Sequence, residues 1–321
     1  MTLDDFFSKA MEDHTNDAAG VFARLPEGVA LVSEPAHLPR IAHVITHVSG
    51  EHLARWADGI ALLESLEKLP VFDASTPEGK AVLRQKAVLL RCAGDVDASE
   101  RMLDAAATGG DVPAASDRIR MLAVASTAFL FQKRMDEARR DFEEAVTLAG
   151  YGPTKTDPAA RALGVTAHNI AVEFENQETL TDDERALMLR CAFVSREFWK
   201  IAGGPKEAGL AEYRLAMSHL KAGDAATALS HANEYLRITG ENGNDPGDVF
   251  FAHEAVARSQ LAAGDVAAAR AERALMNDAL PTIADESFRS YCAGELKKLD
   301  AALPRKRPAR EPQGALRSPW K

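Results

Sequence analysis

Proline recurs in this chain with a beat. Pro77, Pro113, Pro158, Pro205 and Pro246 each stand before a long stretch with helical spacing, at gaps of 36, 45, 47 and 41 residues. Proline in the first turn of a helix loses nothing, because the N–H it lacks would have no partner there. Thr76, Asp157 and Asp245 each precede one of these prolines, where a capping residue belongs. A helix opener at a near-regular interval implies one supersecondary unit stacked on itself.

The turns inside the units repeat as well. Ala93-Gly94-Asp95, Ala222-Gly223-Asp224 and Ala263-Gly264-Asp265 each follow a proline-opened stretch, and Gln132-Lys133-Arg134 occupies the same place in another unit. Glycine supplies the left-handed conformation that closes a helix, and the aspartate caps the next one. In the unit between, Thr181 and Glu184 form a capping box for the second helix. Aligned on these turns, the units run approximately over 36–70, 77–108, 113–150, 158–200, 205–240 and 246–280. No segment alternates as a strand does; Val29 to Val32 comes nearest, and it is too short and isolated to pair. The expected fold is all-α, a right-handed α-solenoid of about six helix-turn-helix repeats. Residues 1–34, with short helices near 3–13 and 17–24, form an N-terminal cap, 35–283 the repeat domain, and 284–303 a C-terminal capping helix. Residues 304–321, rich in Pro and Arg, are expected to be a disordered basic tail.

Charge and cysteine usage narrow the classes. The net charge is −10, yet the last eighteen residues carry six Lys/Arg against Glu311 alone, so the rest sits near −15. An acidic body argues against nucleic acid as the main ligand. Cys92, Cys191 and Cys292 stand alone in helical stretches and read as buried thiols in a reducing compartment. With no signal-peptide pattern and no run near the roughly 18 apolar residues of a membrane span, a soluble, cytoplasmic protein is expected.

The third unit places Asp136, Glu137 and Ala138, then Phe142, then Ala145, and Asn169, Ile170, Ala171 and Phe174 repeat a related spacing on a first helix. Leu215-Ala216 with Gly223 and Ala228, and Val256-Ala257 with Gly264 and Ala269, repeat it less fully. Small residues sit where helices touch, and the aromatic fills the groove between units. Over roughly residues 77–280 this resembles the tetratricopeptide repeat, with longer units than the family's usual 34 residues and with Leu90 and His219 at aromatic positions. Units above 40 residues fit HEAT or armadillo repeats as well.

The resemblance implies an extended peptide or protein partner held along a concave surface of first helices. One family subtype clamps a C-terminal carboxylate with five residues; Asn169 and Arg214 match two of those positions, whereas Ala123, Thr127 and Leu210 depart at the others. Asn169 and Arg214 are therefore the leading contact candidates, with His168, Glu175 and Tyr213 around them and Val172, Met217 and Lys221 on the same face. Two matches of five are few, and polar residues on a solvated face are the more ordinary reading of the same positions.

The chain offers little chemistry. His43 and His47, four apart with Glu51 and His52 beyond, can place two imidazoles on one helix face. Ile41, Val44, Ile45 and Val48 make that helix an ordinary amphipathic one, so packed or surface histidines are expected rather than a metal site. His253-Glu254 begins like a zinc-protease helix, but Ala257 stands where the second histidine is required. No nucleophile elbow, phosphate loop or dinucleotide fingerprint occurs. The expectation is a non-catalytic adaptor or scaffold without cofactor. A sensor of a small peptide or metabolite, an enzyme built on the N-terminal histidines, and a self-assembling repeat protein are the rivals.

Overall fold

The computed structural model describes residues 2–107, 114–243 and 245–304. Among these, every regular element is helical, and the chain divides into two units, residues 1–222 and 223–321. The expected tail, apart from Pro304, and the proline at position 113 lie outside the described residues. No described helix is long and apolar enough to cross a membrane.

In the first unit α1 (Leu3–Asp13), α2 (Ala18–Ala30) and α3 (Leu38–Thr46) come first, and α3 runs into a π-helical turn over His47–His52. Then follow α4 (Trp56–Glu67), α5 (Pro77–Ala93), α6 (Val96–Ala107), α7 (Ala114–Phe131), α8 (Met135–Leu148), α9 (Pro158–Glu175), α10 (Asp182–Ala202) and α11 (Pro205–Ala222). Helices α5 with α6, α7 with α8, and α9 with α10 form antiparallel pairs, and α3, α5, α7, α9 and α11 pack successively against one another. That neighbour-to-neighbour packing is what a solenoid requires. The second unit holds α12 (Ala225–Glu241), α13 (Pro246–Ala262), α14 (Val266–Ala279) and α15 (Glu286–Ala302), each packed on the next.

The punctuation works as its chemistry demands. Pro77, Pro158, Pro205 and Pro246 are the first residues of α5, α9, α11 and α13. Thr76, Asp157 and Asp245 accept backbone N–H groups of the following turn, and Thr181 and Glu184 close their capping box at 3.2 and 2.8 Å. Gly94, Gly223 and Gly264 take φ of +90°, +84° and +87°, and Lys133 takes +58° in the equivalent turn. Asp95, Asp224 and Asp265 cap the helices after those glycines.

The repeat spacing marks the core. Ala138, Phe142, Ala145, Ile170, Ala171 and Phe174 are buried in one cluster with Phe129. Burying each Phe contributes about 1.5–3 kcal/mol. A second cluster joins Leu3 and Phe6 of α1, Val21 and Leu25 of α2, and Leu38, Ile41 and Ile45 of α3. All three cysteines are buried, and burial pushes the Cys92 thiol up to about 12.

Two details differ from the sequence reading. The second helix runs past 24 to Ala30, through Pro26, because Val21, Leu25, Gly28 and Val29 lie on one buried helical face; the strand-like Val29 belongs to that face. The other is the π-helical turn. Ser49 Oγ donates to the Ile45 carbonyl at 2.5 Å, competing with the backbone for that acceptor. A Cβ on Gly50 would come within 2.9 Å of Leu89, and one on Gly59 within 2.2 Å of Ser49 Oγ, so both glycines let the widened turn press against its neighbours.

Candidate functional site

Helices α9 and α11 carry the residues chosen from sequence. Residues three and four apart share a helix face, so Val165, His168, Asn169 and Val172 line one side of α9. Leu210, Tyr213, Arg214 and Met217 do the same on α11. Asn169 is exposed, while His168, Glu175, Tyr213 and Arg214 are half-buried.

The structure brings four of the five together. Arg214 forms an ion pair with Glu175 through Nη1, and Ser218 Oγ donates to the other carboxylate oxygen at 2.5 Å. The Arg214 guanidinium lies 5.7 Å from the Tyr213 ring centroid. Lys221 donates to the backbone carbonyl of Gln177, just past the C-terminus of α9, where the helix dipole favours a cation. Burial, and then the charge of Arg214, push the His168 imidazole down to about 4. Burial raises the Glu175 carboxyl above its ordinary value, opposed by Arg214 and Ser218.

Arg214 Nη1 is already committed to Glu175, while its buried Nε has no hydrogen-bond partner among the described residues. A carboxylate arriving at Arg214 would have to displace Glu175. Ala123 and Thr127 are buried on α7 and present no group to a ligand. What α9 and α11 do present is Asn169, with donor and acceptor together, and two large apolar side chains, Val165 and Leu210, at 37% and 38% exposure.

The N-terminal histidines are placed differently from the expected pair. The rings of His43 and His47 stack with centroids 5.8 Å apart, yet His43 is exposed and is not one of the three histidines whose ring nitrogens converge. Instead His47 and His52 meet His14, at the C-terminal end of α1, with one ring nitrogen from each lying within 4.8 Å of the others. Sequence reasoning missed His14, since nothing local connects it with residues 47–52. The π-helical turn is the reason the other two meet: it closes residue i on i+5, and His47 and His52 are five apart.

The described residues define an all-α protein of helical-repeat type. No family model matches the chain, and no curated protein matches it. Among solved structures it is similar to BtubC (BKLC) from P. vanneervenii, at 14% identity and a TM-score of 0.41, over 89% of this chain and 98% of that one. It is also similar to a signal transduction ATPase with numerous domains that has a tetratricopeptide repeat sensor, from Pyrococcus horikoshii. There the identity is 11% and the TM-score 0.44, over 89% of this chain and 42% of the other, less than half its length.

Proposed function

We propose that this chain is a non-catalytic adaptor that holds an extended peptide segment of a protein partner on the layer of first helices in the 1–222 unit. The observation that carries this reading is the exposure of Val165 and Leu210, each one helical turn ahead of the polar pair on its own helix. Exposed apolar side chains next to an unburied amide suit a peptide with apolar side chains and an open backbone. Asn169 can both donate to and accept from such a backbone. Arg214 and Glu175 shape the site by holding α11 against α9 and leave the apolar positions to contact the partner.

A displayed library of random peptides, selected on the immobilised full-length protein, tests the reading. Enriched sequences should carry apolar residues and should lose binding at least tenfold to a Val165→Asp/Leu210→Asp variant that keeps its helical circular dichroism. Selection that enriches nothing, or peptides that bind this variant as well as the wild type, would rule the face out.

A further inference from the structure

We propose that His14, His47 and His52 form a binding site for a divalent transition-metal cation of the Zn2+ type, with Glu51 and the Met11 carbonyl orienting two of the ligands. His14 Nδ1 lies 2.7 Å from the backbone oxygen of Met11. A carbonyl can only accept, so the proton sits on Nδ1 and Nε2 carries the lone pair; it accepts from the Thr15 hydroxyl at 3.3 Å, a weak exposed contact that a cation would displace. His47 Nδ1 lies 3.0 Å from Glu51 Oε2, and its donation to that carboxylate leaves the lone pair on Nε2 in the same way. A ligating histidine is held by a carbonyl or carboxylate on its other nitrogen in just this manner.

The spacing then fits the ion. Zn–N bonds are about 2.0–2.1 Å in tetrahedral sites, so two ligating nitrogens are separated by about 3.3–3.4 Å. His47 Nε2 and His52 Nε2 are 3.3 Å apart. Without a cation, His52 Nε2–H donates to the His47 Nε2 lone pair; with it, His52 takes its other neutral tautomer, its proton carried on Nδ1, and both Nε2 lone pairs are available to the metal. Phe131 and Gln132, at the end of α7, brace the set. Phe131 stacks on the His52 ring with centroids 5.9 Å apart, and Gln132 Nε2 holds the Glu51 carbonyl at 2.8 Å. The side chains of His47 and Glu51 are only 18% and 12% exposed.

Ligand type selects the metal class. Three imidazoles suit Zn2+, Co2+, Ni2+ or Cu2+, whereas Mg2+ and Ca2+ require oxygen ligands. Three protein ligands leave a fourth position for water or for a group from another molecule. The cation would also fasten the end of α1 to the π-helical turn. The bound state should therefore have the higher Tm, because the unfolded chain holds no such preformed site.

The test uses the full-length protein, stripped with a chelator and titrated with Co2+ alone, then with Zn2+ as competitor. One equivalent of Co2+ should give the visible absorption of a four-coordinate centre, bleached by Zn2+, and Zn2+ should raise the Tm. His14→Ala, His47→Ala and His52→Ala should each weaken binding by about 100-fold or more. Glu51→Gln should weaken it by about 10- to 100-fold at unchanged stoichiometry, and His231→Ala, in the other unit, should leave it alone. Unchanged affinity in folded His14→Ala would overturn the site. As a check independent of folding in the variants, one equivalent of Zn2+ added to wild type must shift the ring-proton NMR signals of three histidines. No shift, or a shift of a different set, would overturn the proposal.

Discussion

Arg214 of α11 is paired with Glu175 near the end of α9, so the cation that a ligand would seek is already held by a neighbouring helix. The two side chains are 12% and 11% exposed. At that burial the pair matters less for its own attraction than for what remains when one partner goes. Arg214→Leu leaves the Glu175 carboxylate with Ser218 as its near partner and is expected to cost about 3 kcal/mol, as removal of one member of a buried pair does. The double variant Glu175→Leu/Arg214→Leu removes both charges and should recover most of that loss. Urea denaturation of the three proteins decides the matter. A single variant within about 1 kcal/mol of wild type would mean that water already screens the pair.

Arg91 and Asp141 make a stricter case of the same physics. Asp141 is fully buried and receives Arg91 Nε at 3.0 Å and Nη2 at 2.7 Å, tying α5 to α8 across two repeats. A guanidinium matches a carboxylate with two parallel bonds, and an ammonium cannot. Arg91→Lys keeps the charge and is expected to cost about 1–2 kcal/mol, whereas Arg91→Leu leaves Asp141 with Arg140 Nε at 2.9 Å as its remaining cation and should cost about 3 kcal/mol. Equal losses in the two variants, read from denaturation midpoints at matched slope, would show that charge rather than geometry carries the interaction.

His168 should make stability depend on pH. Its imidazole is pushed from 6.5 down to about 4 in the folded protein. Between those values the unfolded chain binds a proton that the folded chain does not, so stability falls as pH drops from 6.5 toward 4. The full loss is on the order of 3 kcal/mol. Glu175 opposes it, because its raised carboxyl takes up a proton more readily when folded. Comparison of wild type with His168→Gln isolates the histidine. The variant should show a flatter profile of Tm against pH across that window, and parallel profiles would contradict the assignment.

What the sequence made legible was whatever depends on neighbours along the chain. Prolines, caps and left-handed turns are local, and the small-residue and aromatic spacing of Ala138, Phe142 and Ala145 follows from one helix face, so these were readable and are observed. Arg214 and Glu175 were both assigned to one surface, but their mutual pairing depends on how α11 sits along α9, which neither helix encodes alone. The histidine cluster was harder still. His43 and His47 have the spacing that an α-helix brings together, whereas the turn is wound as a π-helix and pairs His47 with His52. That winding follows from Ser49 bonding to Ile45 and from the glycines that admit Leu89 and Ser49. His14 arrives from a separate helix, at a distance no spacing rule reaches.

Lys133 shows where the chain departs from its own rule. The turns at Gly94, Gly223 and Gly264 place glycine in the left-handed region, and the equivalent turn here places a lysine there at φ +58°. A residue with a Cβ pays roughly 1–2 kcal/mol to sit in that conformation. Lys133 is exposed, and its backbone N–H still donates to the Leu130 carbonyl, so the turn itself is well formed. Lys133→Gly therefore relieves local strain, offset in part by the greater freedom that glycine gives the unfolded chain. The expected net gain is about 0.5–1 kcal/mol, seen as a higher urea midpoint. The reverse change at an equivalent turn, Gly94→Lys, should lose a similar amount, even though a Cβ there meets nothing within 4 Å. If Gly94→Lys proved neutral, the left-handed turns would impose no conformational cost, and glycine at these positions would need another explanation.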